Sequence, residues 1–179
     1  MKIILIRHGE SEHNAGITNG KDTCLTKNGI LQTKKLGDYL KKQNIKFDEI
    51  YTSNLIRSKQ TGEIISKIIK VPIKKSYEEF NEYESKELKN RLRRILHRRL
   101  TNLKKLLKVI SKEKNKDKNI IIVAHGITNR IIIGLLLNIP LKRQLLGFRQ
   151  NNVGVSELIW EEEHKNWQLE LLNDTSHLK

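Results

Sequence analysis

The 179-residue sequence predicts an α/β fold: a three-layer α/β/α sandwich around a mostly parallel central sheet. Three observations predict it. Short β-branched apolar runs alternate along the chain with longer segments of helical period. Two of those runs, Lys2–Ile6 and Asn119–Ala124, are apolar at successive positions, as strands buried on both faces are. The length suits a single domain, residues 1–179, with one sizeable core.

The elements follow in order. Lys2–Ile6 reads as a buried strand. Thr26 is a candidate N-cap, and Ile30, Leu31, Leu36 and Leu40 fall roughly on one face of the helix it opens. A short strand is expected around Glu49–Thr52. Ser53 then caps a helix to about Ile69, with a buried stripe of Leu55, Ile56, Ile64, Ile65 and Ile68. Val71-Pro72-Ile73 breaks that helix and suggests an edge strand, because proline cannot donate within a ladder. From Lys86 to about Lys112 apolar residues recur at steps of three and four, which predicts one long helix. Lys114–Asn119 is a polar loop, and Asn119–Ala124 is the clearest central strand. A helix over about Ile127–Leu137 ends before Pro140, and strands Val155–Trp160 and Trp167–Leu172 flank a polar connection.

Composition narrows the setting. Between Lys86 and Lys118 stand 14 lysines and arginines against Glu87, Glu113 and Asp117, so this segment holds most of the net charge of +15. Such a run is a solvated helix face, or a surface that attracts anions such as substrates, lipid headgroups or nucleic acid. No aromatic residue lies within it, so base stacking along it is not expected. The single cysteine, Cys24, points to a reducing compartment. The apolar N-terminal run is too short for a secretory signal, and no run approaches the roughly 20 residues of a membrane span. The expectation is a cytoplasmic protein without a membrane partner.

Two central strands end alike. Ile3–Ile6 runs into Arg7-His8-Gly9, and Ile120–Ala124 runs into His125-Gly126. Ligands of open α/β sheets gather at the carboxyl ends of strands, where helix N-termini also point. Arg57 lies one turn into the helix after Tyr51-Thr52-Ser53. There its charge opposes the helix dipole, an arrangement that a bound phosphate would offset.

Leu5-Ile6-Arg7-His8-Gly9-Glu10-Ser11-Glu12-His13-Asn14 resembles the signature of the histidine phosphatase superfamily, branch 1, whose members are phosphoglycerate mutase-like. Leu25-Thr26-Lys27-Asn28-Gly29, Tyr51-Thr52-Ser53 with Arg57 and Gln60-Thr61, Val123-Ala124-His125-Gly126 and the ending Leu172–Leu178 resemble further blocks of that family, in order. The resemblance implies metal-independent phosphoryl transfer without a cofactor on a small phosphorylated substrate. It implies His8 as nucleophile, forming a phosphohistidine that water hydrolyses. Arg7, Arg57 and His125 would surround the phosphoryl oxygens, with Asn14 and the Gly126 N–H as further donors. Phe80-Asn81-Glu82-Tyr83 is similar to the family's acid-bearing segment, which gives Glu82 as proton donor and Glu84 as the alternative. The chain departs from the family over about 76–118, where a covering insert looks shortened.

Hydrolysis of phosphomonoesters is the leading expectation. Mutase activity, removal of phosphate from protein histidine, and binding of nucleic acid or an anionic surface through 86–118 are the alternatives. His13 is expected at the pocket rim or in solvent, His97 on the surface, His164 in a polar hairpin and His177 in the C-terminal tail. The sharpest expectation is spatial: His8, His125 and the two arginines should converge on one phosphate-sized cavity.

Overall fold

The computed structural model describes residues 1–83, 93–112, 117–140 and 147–179. Six strands form one sheet: β1 (Lys2–Arg7), β2 (Glu49–Ser53), β3 (Ile73–Tyr77), β4 (Asn119–Ala124), β5 (Val155–Glu161) and β6 (Asn166–Asp174). Their spatial order is β3-β2-β4-β1-β5-β6. The first four are mutually parallel, while β5 runs antiparallel to β1 and β6. The described helices are α1 (Lys27–Lys42), α2 (Ile56–Ile69), α3 (Arg93–Ile110) and α4 (Gly126–Leu136).

Strand alternation distributes the core. Ile4, Ile6, Ile50, Ile121 and Val123 pack with Leu36 and Leu40 of α1 and Ile65 of α2 on one face. Ile3, Leu5, Ile120 and Ile122 pack with Leu103, Leu106 and Leu107 of α3 and Ile131–Ile133 of α4 on the other. Two helices on each face make the expected three layers. None of the described helices is long and apolar enough to cross a membrane.

Several local expectations are corrected. In α1 the buried face is Gly29, Thr33, Leu36, Gly37 and Leu40, while Ile30 and Leu31 are 38% and 55% exposed. Small residues face inward because the helix lies close against its neighbours, and an ideal Cβ on Gly37 would stand 2.5 Å from Ile68 Cδ1. Ser53 ends β2 instead of capping α2, which begins after Leu55. The inward face of α2 is Arg57, Ser58, Thr61, Gly62 and Ile65, and Ile56 is exposed. Polar groups are tolerated there because the sheet end satisfies them. Ser58 Oγ donates to Val123 O at 2.7 Å and accepts from Ser53 N at 3.1 Å. The edge strand expected around Pro72 is β3, which lies at one edge of the sheet and starts after that proline. Of the long basic helix, Arg93–Ile110 is confirmed as α3, and residues 84–92, with Glu84, lie outside the described residues. The apolar period holds at Leu103, Leu106, Leu107 and Ile110, whereas Ile95 is exposed.

The start of α1 is pressed onto the loop leaving β1. Thr26 Oγ1 caps the helix at Gly29 N (2.9 Å) and donates to Glu10 Oε1 (2.6 Å). An ideal Cβ on Gly29 would lie 2.0 Å from Glu10 O, and one on Gly9 would lie 2.7 Å from Gly29 O. Replacing a helical glycine by alanine ordinarily gains up to about 1 kcal/mol. Here the backbone clash outweighs that gain. Gly29→Ala is expected to destabilise the fold by about 3 kcal/mol, the upper end of overpacking penalties, as read by urea denaturation.

Candidate active site

The carboxyl ends of β2, β4 and β1 lie side by side and deliver the site. His8 follows β1 and is only 1% exposed; its N–H continues the parallel ladder to Ala124 O at 3.0 Å. His8 Nδ1 lies 2.6 Å from Gly9 O. A carbonyl can only accept, so Nδ1 carries the ring proton and Nε2 carries the lone pair. Arg57 Nε donates to that Nε2 at 3.1 Å, and Arg57 Nη1 donates to Lys21 O at 2.7 Å. Gly9 N donates to Thr61 Oγ1 at 3.0 Å, one turn along α2 from Arg57. Asn152 Nδ2 donates to His8 O at 3.0 Å.

His125 is fully buried as the N-cap of α4, its ring centroid 5.0 Å from that of His8. Its Nε2 lies 2.7 Å from Ser53 Oγ, which also accepts from Leu55 N at 3.2 Å. His125 Nδ1 and Arg7 Nε are buried without a hydrogen-bond partner among the described residues. Arg7 Nη1 donates to Gln150 O at 2.6 Å. Gly126 opens α4 beside Arg7; an ideal Cβ on it would stand 3.7 Å from Arg7 Nε. Glu82 Oε1 accepts from Ile127 N at 3.1 Å, in the same first turn of α4.

Burial and charge set the protonation states. Desolvation, then Arg57 and Arg7, hold the His8 imidazole well below its ordinary value, against a smaller opposing effect of Gly9 O. Desolvation, then His8 and the arginines, do the same to His125. Both rings are therefore neutral at pH 7. Desolvation pushes Glu82 up, outweighing the Ile127 N–H and the charges of Arg7 and Arg57. A carboxyl so poised can keep a proton long enough to give it away.

A cleft of about 920 Å³ opens over these groups. Arg7, His8, Asn14, Arg57 and Glu82 line it, as does His13 at its rim. His125 and Gly126 are not among its lining residues but stand against His8 and Arg7, which are, so five of the seven expected site residues line the cleft. Asn14 Oδ1 accepts from Asn152 Nδ2 at 3.1 Å, leaving its amide N–H groups as donors. His97 is exposed on α3. His164 lies with Glu161 and Glu163 at the turn between β5 and β6, with ligand atoms within 4.8 Å of one another and none lining the cleft. His177 packs on Tyr39 at 5.6 Å, away from the cleft lining.

Sequence reasoning missed Ser53 as the partner of His125, Asn152 as the brace of His8 and Asn14, and Arg99, which lines the cleft from α3. Ser53 was legible as a cap and as the end of the Tyr51-Thr52-Ser53 block, but not as the partner of His125. Asn152 sits in a polar loop without a pattern, and Arg99 is masked by a run of like charges.

A family model described as the histidine phosphatase superfamily (branch 1) matches residues 3–107 and 97–175. The chain belongs to that superfamily. Among solved structures, a phosphoserine phosphatase of Entamoeba histolytica superposes with a TM-score of 0.75 at 27% identity, covering 99% of each chain. A putative alpha-ribazole-5'-P phosphatase of Escherichia coli superposes at 0.79 with 21% identity over 98% of each chain. Among curated relatives, a broad-specificity phosphatase of Saccharomyces cerevisiae is 38% identical over 69 residues, 37% of this chain and 30% of that protein. A 2,3-bisphosphoglycerate-dependent phosphoglycerate mutase of Hamiltonella defensa is 38% identical over 81 residues, 42% of this chain and 32% of its own. The matched segments thus span about a third of these curated relatives.

Keeping His8 neutral has a cost in acid. Its folded value is depressed, so below about pH 6.5 the unfolded chain takes up a proton that the folded chain refuses. Stability contributed by the neutral ring is thus intact above that pH and declines as pH falls toward the folded value. Replacing His8 by Gln is expected to flatten the pH dependence of unfolding in this window by about 1.4 kcal/mol per pH unit, measured by urea titrations at stepped pH.

Proposed function

We propose that this histidine phosphatase superfamily member hydrolyses small phosphate monoesters through a phosphohistidine on His8. The observation that carries this reading is the geometry of the His8 ring: Nδ1 bonds Gly9 O and Nε2 faces Arg57 where the ring lines a cleft, and burial and the arginines favour its neutral form. A neutral imidazole nitrogen facing guanidinium groups suits in-line attack on phosphorus. Arg7, Arg57, His125 Nδ1, Asn14 and the Gly126 N–H would hold the phosphoryl oxygens, and their value rises as charge develops in the transition state. Glu82 would give its proton to the leaving oxygen as the P–O bond breaks. Its carboxylate would then take a proton from the water that attacks the phosphohistidine, returning both groups to their starting states. No step calls for a metal.

The organic half of the substrate is read at the mouth of the cleft, where exposed Lys21 and Arg98 stand with Glu78 and Glu79. Charges of both signs fit a substrate with both, such as the phosphoserine named for the Entamoeba histolytica protein. Hydrolysis is favoured over return of the phosphoryl group to a bound acceptor because the cleft is wide enough for water to enter. We assign the protein to the cytoplasm on its single cysteine, which is exposed and free.

His8→Ala is expected to abolish phosphate release from p-nitrophenyl phosphate, while excess chelator leaves the wild type unaffected. Persisting release in the variant overturns the nucleophile. On an alkyl phosphate, wild-type kcat should fall as pH rises through the elevated Glu82 value, because the protonated carboxyl is the active form. Glu82→Gln should lower that kcat by about 100-fold or more and remove this limb of the profile. Interconversion of 2- and 3-phosphoglycerate exceeding phosphate release would mark a mutase instead.

A further inference from the structure

We infer that Arg99, from the basic helix α3, is a positioning residue that holds the segment bearing Glu82 over the site. The inference rests on the reading of Glu82 as proton donor. Residues 81–83 have no regular secondary structure, and beyond the Asn81 N–H bond to Glu78 O at 2.9 Å they depend on groups that reach them from elsewhere. Arg99 Nη2 donates to Asn81 O at 2.9 Å and to Glu82 O at 3.1 Å, and its guanidinium carbon stands 3.9 Å from the centre of the Tyr83 ring. One planar group thus grips the peptide carbonyls on both sides of the Glu82 Cα and covers the next side chain.

Other ties come from elsewhere: α4 holds the Glu82 carboxyl itself, with Ile127 N donating to Oε1 at 3.1 Å. Thr128 Oγ1 of α4 donates to Asn81 O at 3.0 Å, Asn54 N donates to Asn81 Oδ1 at 2.9 Å, and Tyr83 and Phe80 are fully buried on either side. Arg99 reaches the Glu82 carbonyl itself, at 3.1 Å. A flat fork with several donors can bond two carbonyls and stack on a ring at once, whereas an ammonium cannot. This gives one cation of the basic helix a role that is neither a solvated surface nor a partner-binding face.

The chemical consequence is specific. A general acid works only within hydrogen-bond reach of the oxygen it protonates. p-Nitrophenolate leaves without a proton, and an alkoxide does not. A slackened Glu82 should therefore slow alkyl phosphates selectively, while a general loss of folding or of charge would slow both.

The test uses the full chain as wild type, Arg99→Ala, Arg99→Lys, Glu82→Gln and the double variant Arg99→Ala/Glu82→Gln. Lys105→Ala serves as a control that removes an exposed charge from the same helix. On β-glycerophosphate, Arg99→Ala should lose about 10- to 100-fold in kcat with an intermediate loss for Arg99→Lys, against under about threefold on p-nitrophenyl phosphate. The double variant should be no slower than Glu82→Gln alone, since both remove one function, and Lys105→Ala should match wild type. Equal losses on the two substrates, no loss, or additive losses in the double variant overturn the inference. A readout independent of turnover is the carbon-13 titration of the Glu82 carboxyl, which should move toward the ordinary glutamate value in Arg99→Ala. An unchanged titration overturns the clamp. Failure of the wild type to release phosphate overturns the phosphatase reading and leaves the titration to judge Arg99.

Discussion

The hydrogen bond from His8 Nδ1 to the carbonyl of its own neighbour, Gly9, is the constraint from which the site follows. It commits the ring to one tautomer and aims the other nitrogen into the cleft. That bond is useful only if Gly9 stays still, and the surroundings are arranged to ensure it. Thr61 accepts from the Gly9 N–H, the α1 start lies against Gly9 with no room for a Cβ, and Asn152 fixes the His8 carbonyl. The glycines here answer to packing distance and not to an unusual backbone angle, since neither Gly9 nor Gly29 has a positive φ.

Around that bond the charges are matched to one another. Two guanidinium groups, Arg7 and Arg57, stand in a buried pit, each held below its ordinary proton affinity first by desolvation and raised back in part by the Glu82 carboxylate. The two imidazoles stay neutral first because burial disfavours their charged form, and then because a further positive charge beside the arginines would be repelled. The pit therefore favours an anion, and it favours most the form in which negative charge is greatest. Glu82 sits at the balance point: burial raises its affinity for a proton while the arginines lower it. A carboxyl under opposing pulls of this kind is suited to give and recover a proton within one turnover.

The basic helix ties this chemistry to the fold. One stripe of α3, Leu103, Leu106, Leu107 and Ile110, closes the core, and another presents exposed lysines to water. Its edge, with Arg98, Arg99 and Asn102, forms a wall of the cleft. A single helix thus serves as core cover, charged surface and site wall. Electrostatic attraction of an anionic substrate needs no further partner for these cations.

By itself the sequence determined the layering of the sandwich, the two His-Gly steps at strand ends and the family to which they belong. Those features are local or periodic: an apolar run of six residues is a buried strand wherever it is placed, and Arg7-His8-Gly9 is contiguous. The inward faces of α1 and α2 were legible only in part, at Leu36, Leu40 and Ile65, because hydrophobicity marks a core only where side chains have room. Gly29, Gly37, Ser58 and Thr61 face inward at close approaches that no periodicity reveals. Only the tertiary structure decided that Ser53 meets His125, that Asn152 braces Asn14, and that Arg99 grips Glu82. Each is a long-range pairing of one polar side chain with one distant group, and a hydrogen bond across such a separation leaves no trace in the spacing of residues along the chain.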